Sequence, residues 1–144
     1  MKIKFNIQAD TPNINGTIYP KDVLKKAISE YNEKCKNGEG LGILKQPKTV
    51  FQDLSKIAFK LNKIDIVDES YIGDIKILDT REGKYLTDLL NVGDIDNYRI
   101  VTISTANVVK VINDNVLVKD MEIRGIGIEP KENCVPLKEN YDDC

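Results

Sequence analysis

The sequence predicts a β-rich α+β domain of about six or seven mostly antiparallel strands and two helices. Three observations lead there: several short segments alternate polar and apolar residues, one longer stretch repeats at helical spacing, and clusters of Gly, Asn and Asp punctuate them. With 144 residues and 16.3 kDa the chain has the length of one domain. We expect that domain over residues 1–130, with a flexible C-terminal tail over 131–144. A content of 41% hydrophobic and 31% charged residues supports a real core rather than disorder.

Each element has its own signal. Lys2–Gln8 alternates, placing Ile3, Phe5 and Ile7 on one face of a half-buried strand. Asn15-Gly16 marks a tight turn. From Lys21 to about Asn37 the apolar stripe Leu24, Ile28, Tyr31, Cys35 fits an amphipathic helix, with Pro20 suited to its first turn and Gly38 just past its end. Gly40–Pro47 reads as a short strand leading into a loop. Ile57, Phe59 and Leu61 alternate, Ile64 and Ile66 follow after a one-residue slip, and a bulge near Lys63 accounts for it. Tyr71–Leu78, after a turn at Asp68-Glu69-Ser70, completes an antiparallel hairpin. Thr80–Gly83 has turn chemistry, after which Tyr85, Leu86, Leu89 and Leu90 fit a short helix closed by Gly93. The last third predicts strands over Tyr98–Ser104, Asn107–Ile112, Val116–Lys119 and Met121–Glu129, with a turn at Asn113-Asp114-Asn115.

Composition restricts the chemistry. There is no histidine, so a mechanism that uses imidazole as base or metal ligand is excluded, the Ser-His-Asp triad included. Cys35, Cys134 and Cys144 are far apart and form no CxxC pair, which supports neither a disulfide framework nor a zinc site; no cofactor is expected. A formal net charge of −2, with no concentrated basic run, gives little footprint for nucleic acid. No apolar run approaches the roughly 18–20 residues of a membrane span. These features read as a soluble intracellular protein without a membrane or nucleic-acid partner.

Few residues offer chemistry of their own. Ser104 ends a strongly apolar strand, where a nucleophile can be held rigidly, and Lys45 or Lys48 could approach it as a base; an ordinary strand-end serine is the simpler reading. Gly40-Leu41-Gly42 lacks what a phosphate loop needs. Asp65, Asp68, Glu69 and Asp74 lack the ordered spacing of a calcium loop and suit a solvated hairpin end. Glu122 and Glu129, seven residues apart, would lie on opposite faces of a regular strand. Cys35 and Tyr31 read as core packing.

The order of Asn15–Pro20, the helix with Val23 and Leu24, Gly40–Pro47, Asp53-Leu54-Ser55, Gly73–Thr80 with Gly83-Lys84, and Ile103-Ser104-Thr105 resembles the prohead core proteases of T-even-type tailed phages. The resemblance runs over roughly residues 13–130. It implies a serine protease fold of the herpesvirus-assemblin type, with a barrel-like sheet and two flanking helices, in a family that cleaves scaffold and capsid proteins inside the immature head. The family's histidine lies in a Gly-x-x-Gly-His-Pro-like segment, where this chain has Gln46. Its serine lies in a Ser-Ser-Arg-Gly-like segment, where this chain keeps Ser104 but continues Thr105-Ala106-Asn107. Gly127 stands where an acidic third member is often found.

A glutamine amide cannot take a serine proton near neutral pH, and losing a triad member costs orders of magnitude in rate. The resemblance therefore implies a pseudoprotease acting as a capsid-associated structural or head-assembly protein. Its partners would be capsid, scaffold or protease proteins of a phage head, or copies of itself, in the host cytoplasm during assembly and then in the virion capsid. The alternatives are an active endopeptidase with a Ser104–Lys45 dyad and a small β-rich binding module.

Overall fold

The computed structural model describes residues 1–13, 15–44 and 57–130. Its strands are β1 (Lys2–Lys4), β2 (Thr17–Ile18), β3 (Leu41–Leu44), β4 (Ile57–Val67), β5 (Ser70–Ile77), β6 (Tyr98–Ile112) and β7 (Asn115–Pro130). Two helices, α1 (Lys21–Lys36) and α2 (Arg81–Val92), join them, and a 3-10 turn, Asp94–Asn97, precedes β6. The α+β class, with two helices and seven strands, is the expected one.

The strands form one mixed sheet in the order β1-β5-β4-β3-β7-β2, and β6 pairs with β7 as well. Most pairings are antiparallel; β2 and β3 run parallel to β7. The sheet does not close into the barrel that the resemblance implied. Among the described residues its two ends meet at Asn6, whose N–H donates to the Ile100 carbonyl at 2.9 Å while its side-chain oxygen accepts from the Ile100 N–H at 2.7 Å. The same detour ends β1 early: pairing with β5 stops at Lys4, short of the expected Gln8.

Helix α1 follows its stripe closely, with Leu24, Ala27, Ile28, Tyr31 and Cys35 all buried. Pro20 is its N-cap rather than its first helical residue, and Asn37 and Gly38 end it, Gly38 at a φ of 82°. Lys34 and Lys36 sit in the last turn, where the helix dipole favours cations. The core on which α1 lies joins Phe59, Leu61, Met121, Ile123, Ile126 and Ile128.

Helix α2 begins at Arg81, inside the segment expected to be a turn. The Thr80 hydroxyl accepts from the Gly83 N–H at 3.0 Å and donates to the Ile57 carbonyl at 2.7 Å, so the cap also ties the helix to β4. Gly83 is there for proximity. A Cβ on it would run into the Leu78 carbonyl oxygen and lie 2.9 Å from that of Ala58.

The β4–β5 hairpin carries its bulge between Leu61 and Lys63, as the phase slip predicts. The last third differs from expectation. Its four predicted segments are two long strands joined by a two-residue loop, Asn113-Asp114. Register shifts between Ile103 and Ser104, Ala106 and Val108, and Val108 and Val109 reset the alternation without ending the ladder. One shift also corrects the carboxylate geometry. Glu122 pairs with Thr105 and Glu129 with Arg99, six residues apart on β6, so the extra residue near Arg124 puts both acids on one face. They still form no pair. Glu122 bonds Lys34 at 2.7 Å, and Glu129 is held by Arg99.

Candidate active site

Ser104 sits on β6 at the first of these shifts and is half-buried. It pairs with Ile123, a core residue, and directly opposed residues share a face, so its side chain is on the core side of the hairpin. There its hydroxyl hydrogen-bonds Tyr19. Tyr19 arrives from β2, which is registered on β7 through Thr17 with Val116 and Ile18 with Leu117. Its carbonyl accepts from the Asp10 N–H at 2.9 Å. Burial pushes the Tyr19 phenol above its ordinary pKa, and the bond to Ser104 offsets only part of that rise. The phenol thus stays protonated at neutral pH and is no base for the serine.

Tyr19 also walls a cleft of about 430 Å³ with Phe5, Ile7, Pro12 and Asn13. Among the described residues, Lys4 and Glu69 also line it. Tyr19 entered the sequence reading only as part of Asn15–Pro20. Its motif neighbour Pro20, which caps α1, is the local reason for its placement, but its meeting with Ser104 depends on the β2–β7 pairing and has no local signal.

Gly127 does not share Ser104's face. It pairs with Val101 on one side and Ile43 on the other, on the face that also carries Thr105. A Cβ at Gly127 would meet the Ile103 and Val101 side chains at 3.8 Å, ordinary contact, so packing alone does not demand glycine there. Thr105, exposed, accepts from the Arg124 Nε at 2.8 Å. Lys45, Gln46 and Lys48 lie outside the described residues, as do Asp53–Ser55 and Cys134 and Cys144.

The remaining candidates have structural surroundings. Cys35 is buried, and burial pushes its thiol up to about 11. Tyr31 is buried, its hydroxyl has no hydrogen-bond partner among the described residues, and burial raises its pKa as well. Asp74 faces the N-terminal amine at 3.5 Å, and Asp65 meets Lys63 at 3.3 Å. Among the described residues no cluster of Cys, Asp and Glu could hold a metal ion, and no helix is long and apolar enough to cross a membrane.

The fold is a mixed sheet with α1 and α2 packed on its core and Ser104 on a long hairpin strand. The chain belongs to the family of prohead core protein serine proteases, whose model matches residues 3–126. It is similar in fold to the solved structure of the bacteriophage T4 capsid assembly protease, gp21, with a TM-score of 0.72 and 20% identity over 89% of this chain and 80% of that one. Comparison with curated proteins found no match.

Proposed function

We propose that this chain is a catalytically silent member of the prohead protease family that serves phage head assembly as a capsid-associated structural protein. The observation that carries the reading is the absence of histidine from all 144 residues, with Gln46 at the position where the family's base is expected. Without an acceptor for its proton a serine hydroxyl is a poor nucleophile, and the glutamine amide has no useful basicity. The hydrogen bond between Ser104 and Tyr19 supports the same reading, because a protonated phenol cannot take the serine's proton.

A scaffold relieved of its chemistry retains its surfaces. On a repetitive head lattice, many weak contacts to capsid, scaffold or protease subunits add up through avidity. The test is incubation of the purified chain with co-expressed capsid and scaffold candidates, with mass spectrometry of any fragments and a Ser104→Ala control. Stable association without fragments is expected. Cleavage that Ser104→Ala abolishes would replace this reading with the Ser104–Lys45 dyad.

A further inference from the structure

We propose that the free edge of β6 at Val109–Val111 accepts an added strand: an extended, apolar segment of a head-assembly partner, with a carboxylate opposite Lys110. This deepens the assembly role above and rests on it. The hairpin geometry shows which backbone groups are on offer. The Val116 N–H donates at 2.9 Å to the Gly16 carbonyl just before β2, away from β6. In an antiparallel ladder a residue that points away has an opposite number that does the same. Val116 pairs with Val111, so Val111 turns its N–H and C=O to the outer edge, and Val109, two residues earlier, does likewise.

Elsewhere the same edge is already occupied. At Ile100 the Asn6 backbone and carboxamide take both outward groups. No partner among the described residues does this for Val109 or Val111. The side chains reinforce the point. Val109 is 49% and Val111 70% exposed on one face, and Val108 is 51% and Ile112 41% exposed on the other. Edges are commonly blunted by charge, yet the single charged side chain between Val108 and Ile112 is Lys110, which makes no ion pair among the described residues. Unpaired backbone flanked by apolar side chains is the surface that strand addition uses.

Lys110 selects the occupant. Two copies of β6 could pair around a two-fold axis, but the register that joins Val109 to Val111 in both directions sets Lys110 directly against its own copy. Like charges in that position are destabilising. A segment with an acidic residue there turns the repulsion into attraction.

The probe is a blocked octapeptide of alternating valine and threonine with one central glutamate, titrated onto the full chain by fluorescence anisotropy, with amide exchange followed by NMR. Saturable binding with slowed exchange at Val109 and Val111 is expected. Val111→Pro, which removes an outward N–H that the β6–β7 ladder does not use, should weaken it at least about tenfold. Lys110→Glu should weaken it about two- to fivefold and reverse the preference toward a lysine peptide. The same peptide N-methylated at alternate residues tests the edge without altering the protein, and should not bind. Absence of slowed exchange at saturating peptide, or binding indifferent to N-methylation, would overturn the proposal. So would a dimer in sedimentation that Val111→Pro dissolves, because the occupant would then be a second copy. Head proteins that associate equally with the Val111→Pro chain would overturn the edge and leave the assembly role standing. Peptide binding without any head-protein association would do the opposite.

Discussion

Replacing Arg99 with Met should destabilise this protein far more than the loss of a surface charge. Arg99 donates through Nε to Glu129 at 2.6 Å, with a second contact from its other guanidinium nitrogen to the same oxygen. The side chains are only 20% and 8% exposed, so solvent does little to screen them. Removing one partner of a buried pair is strongly destabilising, by about 3–5 kcal/mol. Arg99 keeps some solvent contact, and Met preserves much of its apolar stem, so the lower end, about 3 kcal/mol, is expected. For a chain of this size that is a fall of roughly 10 °C in melting temperature. Replacing Glu129 by Met as well should return part of the loss, because two well-packed apolar residues are often as stable as a buried ion pair. Urea titrations of the three variants at neutral pH measure this. An Arg99→Met variant within about 0.5 kcal/mol of the parent would show that the pair behaves like an exposed one, and the argument from burial would fail.

Gly83→Ala should destabilise by about 1–3 kcal/mol, because both contacts met by the new methyl are backbone oxygens that cannot move aside; an unchanged denaturation midpoint would contradict this. Glu122 is held below the ordinary carboxylate range, chiefly by its hydrogen bond from Lys34, and then by the charges of Lys34 and Arg124. Its folded pKa is depressed, so its contribution is present above the unfolded value and lost as pH falls through the folded one. Glu122→Gln should flatten the decline in stability between about pH 5 and pH 2, read from urea midpoints across that range. Gln46→His alone should restore no measurable peptidase activity on capsid or scaffold proteins, since the residue at the acid's position is still Gly127 and Ser104 remains bonded to Tyr19; serine-dependent cleavage by that variant would refute it.

Local patterns revealed the elements whose causes are local. The α1 stripe, the β4 bulge near Lys63 and the Asp68 and Asn113 turns were legible because periodicity and positive φ, 55° and 54° at those two turn residues, are properties of a few neighbours. The β6–β7 hairpin was read in four pieces because its bulges reset the phase, which in a sequence looks like an end. Residues 80–83 looked like a turn because Thr and Gly favour one, and only contact with Leu78 and Ala58 explains a glycine inside a helix. At the site, Ser104 was singled out from its place on an apolar strand. Tyr19 was not, because its meeting with Ser104 depends on a parallel pairing of residues about a hundred positions apart. The opposite facing of Ser104 and Gly127 likewise depends on ladder register, which spacing along one strand does not reveal.

Strand β7 leaves the ribosome after every other described strand, yet it lies inside the sheet, with β3 and β2 along one side and β6 along the other. Until it emerges, the nascent chain carries Ile43 with no Gly127 beside it and a helix whose main apolar partners do not yet exist. Completion of the sheet during translation thus waits for β7, and until then the β3 and β6 edges are the places where a chaperone, or an unwanted neighbour, meets the unfinished protein.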